Sequence, residues 1–508
     1  MKSKTAHSAM DDKDTYVDLQ EHVMLEELED GRSSGGLLKY SKKGILLDPQ
    51  PSDYPHDPLN FSHLEKGRVL IGLAYWAFLG TANLIIITPA FFEIAANYNT
   101  SLESVAYTVN GPLIAYGAGC LLWVPIGNLI GVRLSFLISA FGAATLSIWA
   151  ALAPTFPQFV AARVLASLFF ASPEAYGPQI VTDTFFLHQR AASTSVFTAF
   201  QFCGFTFAGF IGGYAAMNHG WRAPSWAMVI MSYIAFMVVA FIFPETTFTR
   251  SKACERDAKR RYIHTFSLSP GSGGGPPKSS SLWRSFAAPW KYVFHPTVML
   301  ATIFFSLFLA TNDYLLTSNS IVYPTVYGST LEEVALTSFA PTTGCLLGIL
   351  IGGWANDKYV AWQMTRNTEG VFIPEMRLSM AIITVILGPA GLVLFGTAAQ
   401  YRLHWIVPLL GELMVNLALV IAGNITYTYM ADVYQERTDQ VLVMLNALKN
   451  LSAFGLVYAV TPWNTHSGYS VAFGCLAVIL FAAHLPLVLL YYRGAKMQTW
   501  ETKKFPVK

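Results

Sequence analysis

Four residues in one apolar stretch have types and a spacing that suit proton or cation chemistry. They are Arg163, Ser167, Phe170 and Glu174. They recur at i, i+4, i+7 and i+11, so a continuous helix would carry them on one face. The Glu174 carboxylate could bind and release a proton or hold a cationic substrate. Alternatively, Arg163 and Glu174 tie neighbouring helices together, and Pro173 would bend the helix that carries them.

Other polar side chains also lie within apolar stretches. Candidates for binding protons or substrate are Asn312, Asp313, Glu412 and Asn416. Asp313 could instead lie at an interface, since it is only a few residues from the end of its apolar run. Uncharged candidates that could orient a ligand by hydrogen bonds, or tie helices together, are Asn83, Asn110 and Gln201. Lys449 and Asn450 could serve either structure or transport.

The composition identifies lipid as the main solvent of the chain. Its 508 residues are 53% hydrophobic and only 13% charged, whereas soluble domains carry about 25% charged residues. The net charge of +2 does not suit a nucleic-acid binder. Phosphate-loop, zinc and other enzyme signatures are absent from the sequence, and the five cysteines are widely separated. The sequence therefore predicts no enzyme, no metal and no cofactor.

Twelve apolar runs are long enough to cross a bilayer, for which a helix needs about 20 residues. They lie near 68–92, 105–127, 134–153, 158–181, 193–215, 222–243, 297–318, 334–355, 378–399, 404–430, 440–462 and 469–492. Ionisable groups at membrane depth are costly and are functional candidates for that reason. The runs predict an all-α membrane protein.

Polar segments divide the chain into five parts. We predict a mostly disordered tail over 1–65, a six-helix bundle over 66–243, a central loop over 244–296, a second six-helix bundle over 297–492, and a basic tail over 493–508. Lys and Arg concentrate on the side of both termini, which predicts that both termini are cytoplasmic. The sequon at Asn99 falls in an outward loop and is a candidate for glycosylation.

Several strings between residues 57 and 492 resemble the major facilitator superfamily, and specifically its fungal twelve-span branch near the drug:proton antiporters. They are Asp57-Pro58-Leu59-Asn60-Phe61, Gly131 with Arg133, Gly220-Trp221-Arg222, Phe243-Pro244-Glu245-Thr246-Thr247, Asp357, Arg366-Asn367, Pro374-Glu375-Met376-Arg377-Leu378, Asp432-Val433-Tyr434 and Lys449-Asn450. The chain departs from the pattern at Asn128, where the family has an acid, and at Ser167, where it has glycine. The fifth-helix stretch from Gly204 to Gly213 also lacks the proline of the antiporter signature.

The resemblance implies that two six-helix bundles rock to give access alternately from each side. Turns after the second helix of each half would carry a latch between the bundles. The latch candidates are Asn128, Gly131, Arg133, Gly353, Asp357 and Arg377. Because Asn128 replaces an acid, we expect the first-half latch to be weaker than the second.

These observations predict a monomeric, proton-coupled transporter of the plasma membrane, with the vacuolar membrane as the other location. Its cargo would be a hydrophobic or amphipathic small molecule such as a drug, toxin or secondary metabolite, moved outward. One alternative is a proton-coupled importer of a cationic nutrient such as a polyamine. Another is a sensor that binds a nutrient without transporting it.

Overall fold

The chain folds into helices that pack side by side. The computed structural model describes residues 50–51, 57–246, 286–366, 373–434 and 437–504. Within these ranges the regular structure is helical, which confirms the predicted all-α class. Most of the predicted tail over 1–65 and most of the central loop lie outside the described residues.

The helices of the first half are α1 (His63–Ile85), α2 (Phe91–Tyr98), α3 (Leu102–Ile130), α4 (Val132–Leu152), α5 (Phe156–Phe170), α6 (Ser172–Thr184), α7 (Leu187–His219) and α8 (Ala223–Phe241). Those of the second half are α9 (Pro296–Val326), α10 (Leu331–Thr337), α11 (Phe339–Ile349), α12 (Asn356–Arg366), α13 (Ala381–Tyr401), α14 (Ile406–Val433), α15 (Thr438–Tyr458), α16 (Val460–Ser467), α17 (Tyr469–Ala482) and α18 (His484–Lys504).

Eleven helical stretches of the described residues are long and apolar enough to cross a membrane. The remaining predicted run, 440–462, forms α15 and α16, and it includes the polar residues Asn446, Lys449 and Asn450. These three residues are buried in the protein interior, where lipid does not reach them. The twelve predicted runs therefore correspond to helices.

The two halves form two bundles related by approximate symmetry. In the first, α1 packs along α7 and α4 packs along α8; in the second, α13 packs along α14 and α17. The second span of each half packs against the fifth span of the other half, as α3 against α15 and α7 against α11. This reciprocal arrangement is expected when a duplicated bundle forms an interface with its copy.

Three helix boundaries differ from the predicted runs. The fourth run divides into α5 and α6 around Ala171, because Pro173 in the first turn of α6 has no amide hydrogen to donate. Helix α9 continues to Val326, so Asp313 lies near its middle, is only 1% exposed, and is not at an interface as the alternative supposed. Helix α18 continues through the predicted basic tail to Lys504.

One end of the molecule holds the first residues of α9 and the last residues of α18. The Thr297 amide donates to Glu501 Oε1 at 2.8 Å there. We call this end the terminal side and the opposite end the far side, where α3 begins and α15 ends. The start of α1 lies at the terminal side as well, because the twelve spans from there to the end of α18 are an even number.

Candidate functional site

A buried ion pair joins the two bundles, between the middle of α15 and the first turn of α6. Lys449 Nζ on α15 lies 2.8 Å from Glu174 Oε1 on α6, and each side chain is 2% exposed. The lysine belongs to the second bundle and the glutamate to the first. Taking both charges out of water is costly, and only close pairing with further hydrogen bonds offsets that cost.

Four more side chains complete this arrangement, which we call the central cluster: Glu174, Lys449, Tyr427, Phe305, Asn446 and Asn450. Lys449 Nζ donates to the Tyr427 hydroxyl at 2.7 Å, and that hydroxyl donates to Asn446 Oδ1 at 2.6 Å. The lysine ammonium also lies 4.9 Å from the ring centre of Phe305 and 5.3 Å from that of Tyr427. These distances allow cation–π attraction in addition to the ion pair.

Two asparagines of α15 hold Glu174 from the side of the second bundle. Asn450 Nδ2 donates to Glu174 Oε1 at 3.3 Å, and Asn446 Nδ2 donates to the Glu174 carbonyl at 3.2 Å. Asn446, Lys449 and Asn450 are spaced i, i+3 and i+4, so α15 presents all three on one face. Gly117 of α3 lets this face come close, since a Cβ there would lie 3.1 Å from the Asn450 Cβ.

Three predicted residues are buried with every polar atom of their side chains unsatisfied. Both oxygens of Asp313 and both side-chain polar atoms of Asn312 and Asn110 lack a hydrogen-bond partner. Asp313 is also within electrostatic range of Lys449 and Glu174. Since an unsatisfied buried polar group costs about 1–3 kcal/mol, these positions favour the binding of water, a proton or a ligand.

Arg163 and Ser167 contact α1, and their hydrogen bonds do not involve the central cluster. Arg163 Nη2 donates to the carbonyls of Asn83 at 2.8 Å and Leu84 at 3.1 Å. Asn83 Nδ2 donates to Ser167 Oγ at 2.8 Å. The guanidinium thus supplies hydrogen bonds to the last carbonyls of α1, which ends at Ile85. On the two sides of the break at Ala171, Arg163 therefore bonds to α1 and Glu174 bonds to α15.

Glu412 and Asn416 belong to a second polar group, inside the second bundle. Asn319 Nδ2 donates to Glu412 Oε2 at 3.1 Å and to Thr337 Oγ1 at 3.1 Å. Asn416 Nδ2 donates to the Glu412 carbonyl at 2.9 Å, while Glu412 Oε1 and Asn319 Oδ1 lack partners. A cavity of about 20 Å³ adjoins Asn319 and Thr337, which is enough for about one water molecule.

Gln201 lies on α7 and is also buried. Its side-chain oxygen lacks a hydrogen-bond partner, while its backbone carbonyl accepts a hydrogen bond from Thr81 Oγ1 at 2.6 Å. It therefore joins α1 to α7 through its backbone and leaves its amide oxygen available to a ligand.

In the turn that holds Gly131 and Arg133, the carboxylate comes from Glu245, a residue that the sequence did not predict there. Glu245 Oε2 accepts a hydrogen bond from the Arg133 amide at 3.3 Å, and Arg133 Nη2 donates to the Ala240 carbonyl at 2.6 Å. Gly131 has φ +91°, and a Cβ there would lie 2.8 Å from the same carboxylate oxygen. These contacts stay within the first bundle. The side chain of Asn128 lies outside the described residues.

In the corresponding turn of the second bundle, Arg377 pairs with Asp432, which lies at the end of α14. Arg377 Nε lies 2.5 Å from Asp432 Oδ2, and both residues belong to that bundle. Gly353 faces the other bundle instead, where a Cβ on it would lie 2.8 Å from Ser195 Oγ. The side chain of Asp357 lies outside the described residues. The predicted glycosylation residue Asn99 is exposed in the turn between α2 and α3.

The bundles touch on both sides of the central cluster. Toward the far side, the rings of Tyr107 and Tyr458 stack with centres 4.7 Å apart. Toward the terminal side, Gly353 lies against Ser195 of the other bundle, since a Cβ on Gly353 would lie 2.8 Å from the Ser195 Oγ. A change that opens either side must therefore part contacts between the bundles.

Comparisons with known proteins agree with this architecture. The chain is similar to a cycloheximide resistance protein of Candida maltosa, at 28% identity over 76% of this chain and 72% of that one. It is also similar to the efflux pump radE of Floropilus chiversii, at 23% identity over 89% and 85%. A solved D-xylose-proton symporter has the same fold, with a TM-score of 0.61 and 17% identity over 83% of this chain and 97% of that one. The family model of the Major Facilitator Superfamily matches residues 73–457. The chain thus belongs to the major facilitator superfamily and is a multi-pass membrane transporter of small molecules, not an enzyme.

Proposed function

We propose that this transporter couples proton movement to the export of a hydrophobic or amphipathic small organic molecule, by alternating access across the plasma membrane with both termini in the cytoplasm. The observation that carries the proposal is the ion pair of Glu174 and Lys449, because it joins two bundles that must separate. Because the pair is buried, the charge on Glu174 largely determines how strongly the two bundles attract each other.

A proton on Glu174 would change the balance between conformations. The ionised carboxylate attracts Lys449 across the interface, whereas the neutral acid attracts it far less. A ligand shifts a conformational equilibrium only if it binds the two states differently, and the proton meets this condition here. Protonation therefore favours separation of the bundles, and loss of the proton favours the closed arrangement.

The other buried polar residues fall into two groups, those on the proposed path between the two bundles and those inside a single bundle. Asp313, Asn312 and Asn110 have unsatisfied polar atoms that suit a proton or a polar group of the cargo. Glu412 with Asn416 is a second candidate proton site, within the second bundle. Arg163, Ser167 and Asn83 hold the end of α1, and Gln201 offers an amide oxygen to the cargo.

The names of two relatives support outward movement of a toxic or foreign molecule, since one is an efflux pump and the other a resistance protein. The two turns with Arg133 and Arg377 would act as latches at the terminal side. Glu245 accepts a hydrogen bond from the Arg133 amide, and Asp432 pairs with the Arg377 guanidinium, so each carboxylate fixes one of these turns.

The test is transport by the full chain in proteoliposomes. A proton gradient should drive movement of labelled lipophilic compounds, and Glu174→Gln should abolish the dependence on the gradient. Glu332→Gln is the matched control, because Glu332 is exposed. Gradient-driven transport at the wild-type rate by Glu174→Gln would contradict the proposed coupling step.

A second candidate function is proton-coupled import of a cationic nutrient, and Asp313 favours it. A buried carboxylate with two unpartnered oxygens suits a cationic group of the cargo. The direction of flux separates the two functions: lower accumulation in cells supports export, and proton-driven accumulation of a polyamine supports import. Binding without flux would contradict both and support a sensor.

A further inference from the structure

The surroundings of the Lys449 ammonium have the composition of a binding site for an organic cation. A carboxylate oxygen lies 2.8 Å away, a phenol hydroxyl 2.7 Å away, and two ring centres 4.9 Å and 5.3 Å away. Carboxylates and aromatic faces are the groups with which proteins bind alkylammonium ions. Glu174, Tyr427 and Phe305 are all buried, so this site closes around an ammonium that belongs to the chain itself.

The parts of this site come from both bundles. Glu174 lies on α6 of the first bundle, whereas Phe305, Tyr427 and Lys449 lie on helices of the second. Separation of the bundles withdraws the carboxylate from the lysine. Because an uncompensated carboxylate is costly away from water, either a proton or another cation takes the place of Lys449 beside Glu174.

We infer that the transported molecule carries a protonated amine, which binds Glu174, Tyr427 and Phe305 at the position that Lys449 occupies in the closed structure. Lys449 is then a tethered competitor of the cargo, and it fills the site when the empty transporter closes. The aromatic faces accept the carbon atoms next to the amine, so the cargo is an amphipathic amine. This inference rests on the proposed function, since it names the substrate class of the same site.

Removal of the tethered ammonium tests the site directly. Lys449→Ala empties it, whereas Lys449→Met fills it with an uncharged chain of similar length. The thermal unfolding midpoint of the purified full chain is measured with n-propylammonium chloride, with sodium chloride at equal ionic strength, and with n-propanol. We expect n-propylammonium to raise the midpoint of Lys449→Ala by several degrees and to leave Lys449→Met unchanged. The rise should vanish in Glu174→Gln/Lys449→Ala. An equal rise with n-propanol or in Lys449→Met, or no rise at all, would overturn the inference.

Transport by the wild-type chain provides a second test, which does not depend on the folding of Lys449→Ala. Labelled phenethylamine and 2-phenylethanol have the same skeleton and differ in the amine. We expect proteoliposomes to transport the amine and not the alcohol, with loss of amine flux in Glu174→Gln. Flux of the alcohol alone would overturn the amine inference and leave the transporter proposal intact. No flux of any compound, together with an amine-dependent rise in Lys449→Ala, would keep the amine site and overturn the proposed function.

Discussion

Lys449 reaches from the second bundle to Glu174 in the first, with Nζ and Oε1 2.8 Å apart and both side chains 2% exposed. The pair lies between contacts on the far side and contacts on the terminal side. It therefore couples the charge of one acid to the packing of the whole interface.

The stability of variants should reveal this coupling. Loss of one partner leaves a buried charge, so Lys449→Met or Glu174→Gln alone should cost about 3–5 kcal/mol of stability. The double variant Glu174→Gln/Lys449→Met removes both charges and should cost much less than the sum. Thermal unfolding midpoints of the detergent-purified proteins measure this, with Glu332→Gln as the control. Additive losses would show that the two residues do not interact.

Engineered disulfides should report which side of the interface is closed. A Cβ on Gly353 would lie 3.3 Å from the Ser195 Cβ at the terminal side, and a Cβ on Gly209 would lie 3.7 Å from the Ser338 Cβ nearer the far side. Disulfides place these atoms about 3.5–4.5 Å apart, so the second pair fits and the first needs a shift of about 0.2 Å. In a background without the five native cysteines, we expect both cysteine pairs to cross-link in the closed state.

A proton gradient should change the two cross-linking yields in opposite directions. Alternating access opens one side while it closes the other. Yields are measured by gel mobility after mild oxidation, with and without the gradient. Parallel changes at both pairs would instead indicate that the bundles separate as a whole.

The turn at Gly131 should tolerate alanine less well than another glycine of similar conformation. Gly131 has φ +91° and Gly220 has φ +79°, a region in which a side chain costs about 1–3 kcal/mol. A Cβ at Gly131 would also meet Glu245 Oε2 at 2.8 Å, whereas a Cβ at Gly220 meets nothing within 4 Å. Gly131→Ala should therefore lower the unfolding midpoint and the transport rate more than Gly220→Ala. Equal effects would mean that the Glu245 side chain moves away from the added Cβ at no cost in stability.

Bulk at Gly117 should hold α3 away from α15. The existing space is tight, because a Cβ there would lie 3.1 Å from the Asn450 Cβ and 3.2 Å from the Ala447 carbonyl. Gly117→Val should weaken the closed state and lower transport severalfold. Gly455→Val on α15 is the control, since a Cβ there meets nothing within 4 Å. Transport rates in proteoliposomes compare the two, and an equal loss would assign the effect to helix propensity.

Much of the architecture follows from the order of side chains. Twelve apolar runs, divided six and six, predicted the helices and the two bundles, because a bilayer requires helices of nearly constant length. The buried acids Glu174, Asp313 and Glu412 were found by the cost of charge at membrane depth. Lys449 was singled out only by the family resemblance, and a periodicity within one helix does not reveal a partner on another.

Helix packing determines which groups these buried residues contact. Spacing predicted that Arg163 and Glu174 share a face, yet the break around Ala171 directs one to α1 and the other to α15. Glu245 brings a carboxylate to the turn at Gly131 from a distant part of the chain, which the packing of α4 along α8 brings close. The sequence alone determined which groups must be buried, since burial follows from apolar surroundings. Only the tertiary structure decided that Glu174 meets Lys449, because that contact depends on how two bundles dock across 275 residues of chain.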